Sequence, residues 1–269
     1  MNSLDKANAE YWSAVWTNSP LNPPIDYSKD SVRNYPARIL HEIFSAELKK
    51  YETKGKTMME IGCGNSSWLS YFAKTFGMSV SGIDYSEKGC EQSRKIFERD
   101  HIDGKIYFGD FFNPPPSVPK DFDFVYSGGV VEHFEDTTAA VKAFSSYLKK
   151  NGIMITTLPN MAGLSGWIQK TFNKPVYDTH VPLTKKHIVA AHENAGLEIL
   201  HAQYYASISM YINLESINGK GVKMLGLKKL ITKSLSIASL ATWKVENAIG
   251  TFPPTSFFSP GIAVIARKK

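Results

Sequence analysis

The chain has 269 residues, 43% hydrophobic and 21% charged, which is the composition of an ordinary folded protein with a sizeable core and excludes a disordered one. Two cysteines, Cys63 and Cys90, exclude a disulfide framework and have no metal-ligand spacing, so a reducing, cytoplasmic setting is expected. The opening residues have no signal-peptide core and no apolar run reaches the roughly 20 residues of a membrane span, so attachment to a membrane is expected to be peripheral at most; the net charge of +6 points only weakly to an acidic partner.

Residues 1–35 are rich in aromatics, Asn and Pro and have no clear period; they read as an arm, either packed over the main domain or covering a ligand. Ile39, Leu40, Ile43, Phe44 and Leu48 recur at helical spacing and predict an amphipathic helix over 36–50. A strand follows over about 56–61, then a helix to about Phe76. Met78 to Ile83 predicts a second strand closing on Asp84, and Ser86 caps the next helix, to about Arg99. A third strand, Lys105 to Phe108, ends in Gly109-Asp110-Phe111, and the triple proline 114–116 forces extended chain.

A fourth strand, Asp121 to Tyr126, opens into Ser127-Gly128-Gly129. Asp136 or Thr137 caps a helix with Ala140, Val141, Phe144, Tyr147 and Leu148 as its stripe, and Asn151-Gly152 turns into a fifth strand, IMITTL. Alternating strands and helices indicate an α/β domain with a mostly parallel sheet and helices on both faces. After Pro159 come a loop insertion (159–183), a helix (about 184–195), a strand (about 196–205) and a second insertion (206–258). The chain closes on an apolar strand, Gly261 to Ala266, so residues 1–269 read as a single domain.

The stretch Met58 to Leu69 carries most of the functional information. A strand ends on Glu60, breaks at Gly62 and Gly64, and a helix starts at once, with Asn65, Ser66 and Ser67 as cap candidates. Glycines there let the backbone turn sharply and a nucleotide approach closely. A dinucleotide fingerprint needs a third glycine where Ser67 stands. Asp84, about twenty residues past the turn, suits ribose hydroxyls of either NAD or S-adenosylmethionine. Glu60 discriminates: its charge beside the turn repels a pyrophosphate and suits a ligand with an ammonium and a sulfonium.

In the order Glu60-Ile61-Gly62-Cys63-Gly64, Gly82 to Ser86, Gly109-Asp110-Phe111, Asp123 to Tyr126 leading to Val131-Glu132-His133-Phe134, Asn151-Gly152, and His180 through Leu197, the chain resembles a class I S-adenosylmethionine-dependent methyltransferase of the branch acting on small molecules, glycans and lipids. Family members often carry a third glycine where Ser66 stands. The resemblance implies a Rossmann-like seven-stranded sheet with an antiparallel last strand. It also implies S-adenosylmethionine as cofactor. Gly62, Cys63 and Gly64 would line the methionine moiety with Glu60 behind, Asp84 would hold the ribose and Tyr85 would pack on the adenine. Asp110 and Phe111 would bind the adenine amine and face, and Ser127 and Gly128 would offer backbone at the methionine amine.

For a hydroxyl acceptor a general base helps, and histidine is the usual choice. His133, after the fourth strand, and His180, in the first insertion, fall on the ligand side of the sheet, either as base or as loop-packing residues; His187 and His192 read as surface residues of the following helix. No cluster has convincing metal spacing. Between Gly219 and Gly250, Lys220, Lys223, Lys228, Lys229, Lys233 and Lys244 face a single acid, Glu246, among apolar residues. That is a cationic amphipathic helix or helix pair: a lid, or a peripheral contact with an anionic membrane through 219–245, or with a phosphorylated, lipid-linked acceptor. Nucleic acid is not an expected partner, since Asn113-Pro114-Pro115 follows the wrong strand for a base methyltransferase motif. The expected activity is O-methylation of a small or carrier-linked sugar, polysaccharide or lipid intermediate; the rivals are an NAD(P)-dependent oxidoreductase and a non-catalytic scaffold at a membrane.

Overall fold

Side chains alternate between faces along a strand, and the adjacent methionines of β1 (Thr57–Ile61) show the consequence: Met59 enters one core and Met58 the other. The computed structural model describes residues 5–28, 34–210 and 222–269, apart from some side chains near the start of the last helix. The remaining strands are β2 (Ser79–Asp84), β3 (Gly104–Phe108), β4 (Phe122–Gly128), β5 (Leu148–Pro159), β6 (Leu197–Tyr205) and β7 (Gly261–Lys268). They form one seven-stranded sheet in the order β3-β2-β1-β4-β5-β7-β6. Only β7 runs antiparallel, with Ile155 opposite Ile265 on one side and Tyr204 opposite Ile262 on the other.

The helices are α1 (Ala9–Asn18), α2 (Tyr35–Leu48), α3 (Trp68–Phe76), α4 (Glu87–Asp100), α5 (Thr137–Ser145), α6 (Leu164–Phe172), α7 (Lys174–Asp178), α8 (Lys185–Asn194) and α9 (Val222–Ile249). Phe144 of α5 and Ile188 of α8 cover the Met59 face; Phe44 of α2 and Leu69 and Phe72 of α3 cover the Met58 face. Local caps explain the boundaries. Ser86 Oγ accepts from Gly89 N at 3.1 Å, Asp136 Oδ1 accepts from Ala139 N at 2.9 Å, and Gly77 ends α3 at φ +67.

Several expectations need correction. The arm contains a regular helix, α1, and the first insertion is α6 and α7, not loop. Tyr147 and Leu148 are buried but lie past the end of α5; Leu148 already pairs with Phe122, and residues 149–152 form an irregularity, with Asn151 at φ 63, before the regular pairing resumes at Ile153. His192 is wholly buried: its Nδ1 donates to the Ile188 carbonyl (2.8 Å) and its Nε2 meets Thr156 Oγ1 (3.0 Å). It lies four residues after Ile188, on the same buried side of α8 as Ile188 and Ala191.

Of the helix or helix pair expected in the second insertion, the described residues hold one 28-residue helix, α9. Lys220 lies outside the described residues, as do the side chains of Lys223, Lys228 and Lys229; Lys233 and Lys244 are exposed. Glu246, the lone acid, is buried and ties α9 down: its Oε2 accepts from Ser207 Oγ and its Oε1 from Phe252 N, each at 2.7 Å. Three residues earlier, Trp243 Nε1 donates to the Ile208 carbonyl (2.7 Å) and its ring stacks on Tyr35 at 5.8 Å. Glu246→Leu leaves two donors unpaired, a penalty of about 1–3 kcal/mol. Hydrogen exchange is expected to speed up over Ser239–Gly250 while β1 and β4 stay protected; unchanged protection of α9 would show that the carboxylate does not hold it.

Candidate active site

The sheet order reverses direction between β1 and β4, and open α/β sheets bind ligands in the crevice outside the carboxyl ends of such strands. At the end of β1 the chain turns through Gly62, at φ +72, whose N–H donates to the Ile83 carbonyl at 2.8 Å. A Cβ on Gly62 would lie 2.4 Å from Val130 Cγ2, so glycine is required both by conformation and by space. Gly64 N donates to Asp84 Oδ2 at 2.8 Å, and Ser86 N donates to Asp84 Oδ1 at 2.7 Å.

The residue after Gly64 explains why a third glycine is dispensable. Asn65 takes the left-handed turn itself, at φ 53, a conformation that Asn tolerates better than most residues. Its buried side chain accepts from Asn22 N (3.0 Å) and donates to the Pro20 carbonyl (3.0 Å), while Ser67 Oγ donates to the Asn22 carbonyl (3.2 Å). The glycine loop and the arm are thus one unit. Ser66, where a glycine was expected, instead caps α3 by accepting from Trp68 N at 3.1 Å.

Three hollows follow one another along the strand ends. The first, about 380 Å³, is lined by Asp5, Asn8, Tyr85, Asp110, Phe111 and Phe134. The central one, about 100 Å³, shares Tyr85 and Phe134 with it and adds Trp12, Trp16, Gly62, Asp84, Gly128 and His133. The third, about 380 Å³, shares Gly62 and Gly128 with the central hollow and adds Asn22, Glu60, Ser66 and Trp68. Together they form a groove long enough for an extended nucleoside with an amino-acid tail.

The groove's charges are poorly compensated. Burial drives the Glu60 carboxyl up to about 8, against a hydrogen bond from Ser66, and Asp84 up to about 6, against the two backbone N–H groups that it accepts from. Glu132 is likewise raised by burial to about 8. Glu60 Oε2, Glu132 Oε2 and Ser127 Oγ are buried without a hydrogen-bond partner. Burial holds His133 down to about 3, with help from the neighbouring His180, and lowers His180 as well.

Of the residues expected at the site, Glu60, Gly62, Asp84, Tyr85, Asp110, Phe111, Gly128 and His133 line the groove. The Cys63 side chain turns into the core beside Leu69, leaving only its backbone near the corner. Tyr85 has its hydroxyl engaged by Asp5 Oδ2 (3.1 Å) and the Ala7 carbonyl (2.5 Å), so the ring is held by the arm. His180 stacks obliquely against His133 with ring centroids 4.6 Å apart. Trp12 and Trp16 are additional wall residues: Trp12 meets His133 edge-on at 5.2 Å, and a Cβ on Gly64 would come within 2.7 Å of Trp16 Nε1. Their only signal in the sequence was an aromatic arm with no repeat. Glu132, His133 and His180 also bring three ligand atoms within 4.8 Å of one another, a grouping that the 46 residues between His133 and His180 hide in the sequence.

Comparison with known proteins agrees with this geometry. A family model described as a methyltransferase domain matches residues 31–202. A ubiquinone biosynthesis O-methyltransferase from Pelagibacter ubique is 31% identical over 167 residues, covering 59% of this chain and 67% of the relative. A ribosomal protein L11 methyltransferase from Thermosipho africanus is 30% identical over 146 residues, covering 54% of this chain and 47%, about half, of the relative. Among solved structures, a geranyl diphosphate C-methyltransferase from Streptomyces coelicolor, in complex with Mg²⁺, geranyl diphosphate and S-adenosylhomocysteine, shares the fold at 14% identity and a TM-score of 0.57, with 97% of this chain and 98% of that one covered. The family match spans well over half of the chain, and the chain belongs to the class I S-adenosylmethionine-dependent methyltransferases.

Proposed function

We propose that the enzyme O-methylates a small or carrier-linked acceptor, a sugar, polysaccharide or lipid intermediate, by direct displacement. The observation that carries this reading is the pair of histidines at the central hollow: His133 lines it and His180 packs on His133. The hydroxyl oxygen would bond to the sulfonium methyl as the carbon–sulfur bond breaks, and its proton would pass to His180, with S-adenosylhomocysteine as the other product. His133, held down to about 3 by burial, would accept a hydrogen bond from the hydroxyl, leaving the proton to His180, which is less fully buried though lowered too. The name of the Pelagibacter relative, an O-methyltransferase of ubiquinone biosynthesis, supports an oxygen atom of a small molecule as the acceptor.

The groove fits the cofactor on the chain's own terms. Glu60 Oε2 is an unpartnered buried acceptor at the third hollow, where an ammonium would complete it, and Gly62, Gly64 and Gly128, with the Cys63 backbone, leave room for the methionine chain. Asp84 retains lone pairs for ribose hydroxyls; Asp110 and Phe111 face the hollow beside Tyr85, suited to adenine. Ser127, whose hydroxyl is buried and unpartnered, sits behind Gly128 at the methionine end.

The outer face of α9 supports peripheral membrane contact. Leu230, Ile237, Val245 and Ile249 are exposed there, with Lys233 and Lys244 alongside. No helix among the described residues is long and apolar enough to cross a membrane.

Four outcomes test this reading. With labelled S-adenosylmethionine and fractionated host lipids and glycans, label is expected on a hydroxyl oxygen. His180→Ala is expected to lower kcat by about 10²–10⁴-fold with S-adenosylhomocysteine affinity unchanged; full turnover would remove His180 as the base. Glu60 gives a pH signature. Its folded pKa is raised, so the stability it contributes is complete below the unfolded value of 4.5 and is lost as pH rises to about 8, at about 1.4 kcal/mol per pH unit. The ammonium of bound S-adenosylhomocysteine offsets that loss, so its thermal stabilisation should grow across this window and lose that growth in Glu60→Gln. Finally, Ile237→Asp with Lys233→Glu should abolish sedimentation with anionic vesicles; sedimentation equal to the unsubstituted protein's would exclude the α9 face.

A further inference from the structure

His133 Nδ1 lies 2.7 Å from the Thr179 carbonyl, and His180 Nδ1 lies 2.7 Å from the Val176 carbonyl. A carbonyl oxygen only accepts, so in both rings the hydrogen is on Nδ1 and the lone pair on Nε2. This is the arrangement that metal-ligating histidines adopt, with the second nitrogen bonded to a backbone oxygen that fixes tautomer and ring plane. The third group is Glu132, whose Oε1 is 4.0 Å from His133 Nε2, too far for a hydrogen bond. Its Oε2 is buried with no partner, on a residue that is 1% exposed, and the carboxyl's one donor is its own backbone N–H. A buried carboxylate with one oxygen unpaired and no counter-charge is costly, and two neutral imidazoles do not supply the charge.

All three ligand atoms lie within 4.8 Å of one another. Ligand bonds of about 2.0–2.2 Å need donors roughly 3–3.5 Å apart, so a contraction of at most about 1.3–1.8 Å closes the set around one ion. The loop holding His180 is already fastened to this point, since Val181 N donates to the Glu132 carbonyl at 2.6 Å.

We propose that Glu132, His133 and His180 bind one divalent transition-metal cation at the acceptor end of the groove. Two imidazoles and one carboxylate favour Zn²⁺, Fe²⁺ or Co²⁺ over Mg²⁺ and leave coordination positions open. His133 also lines the central hollow, so the open positions face it and take an oxygen of the acceptor. This last step rests on the O-methyl transfer proposed above: a cation held there would polarise the acceptor hydroxyl and lower its pKa. The one Nε2 lone pair of His180 can hold the cation or take the hydroxyl proton, so the role of base given to His180 above is that of the metal-free enzyme, and with the cation bound the proton would go to water.

The test uses the full chain stripped with chelator and titrated with Co²⁺ alone. Visible d–d absorption should saturate at one equivalent. The Kd should rise at least tenfold in Glu132→Gln and in His180→Ala and stay unchanged in His201→Ala, an exposed control on β6. S-adenosylhomocysteine binding in the same samples reports an intact groove. Should Glu132→Gln fail to bind it, the His180→Ala titration decides. Absence of Co²⁺ bands in the unsubstituted protein, or bands that His180→Ala leaves unchanged, would overturn the site. Metal binding with these losses, but no methyl transfer to any hydroxyl, would leave the site standing and refute the O-methylation reading.

Discussion

The hydrogen bond from Gly64 N to Asp84 Oδ2, at 2.8 Å, is the contact on which the rest of the site depends. It ties the turn after β1 to the end of β2 and fixes the mouth of the groove. Asp84 also accepts from Ser86 N at 2.7 Å, so the carboxylate that faces the ligand simultaneously organises the start of α4. The α4 start then contacts the arm: Ser86 Oγ lies 3.1 Å from Ser13 Oγ, and Gln92 Nε2 donates to the Ser19 carbonyl at 3.0 Å. Loop, strand end, helix and arm thus share one hydrogen-bond network, and such networks hold geometry better than their separate bonds.

The groove uses that rigidity to keep polar groups unsatisfied. Buried acceptors are normally partnered, and each exception calls for a physical reason. Here Glu60, Ser127 and Glu132 are exceptions, all at or next to the ends of β1 and β4. Close packing behind them, with Ile61, Val125 and Val131 fully buried, prevents the strand ends from relaxing toward new partners. The penalty is therefore carried by the empty protein and relieved by cationic ligands. A methyl donor that carries both an ammonium and a sulfonium is electrostatically suited to such a place.

Much of this was legible in the sequence. The strand ends at Glu60, Asp84 and Asp110 follow from glycines and acids that close apolar runs, and alternation along DFDFVY foretold the fourth strand. What stayed hidden depended on contacts between distant segments. The regularity of α1 is masked by three aromatics, Tyr11, Trp12 and Trp16, of which the two tryptophans wall the groove. His192 looks like a solvent residue until Thr156, 36 residues away in sequence, gives it a partner. Glu246 looks like one stray acid in a basic helix, and only the Ser207 hydroxyl and Phe252 amide reveal it as a tether.

The acceptor end shows the same division most clearly. Its residues come from the turn after β4 and from the insertion after β5, and neither segment has a pattern that announces the other. Adjacency of β4 and β5, with Ser127 opposite Thr156, brings the two connections together at the same end of the sheet. Their fastening uses backbone oxygens: the Glu132 carbonyl accepts from Val181 N and the Thr179 carbonyl from the His133 imidazole. The His133 ring is thus held through Nδ1, which leaves its other nitrogen free for the reacting molecule. The donor corner is written locally in β1, whereas the acceptor corner exists only once the parallel sheet has formed.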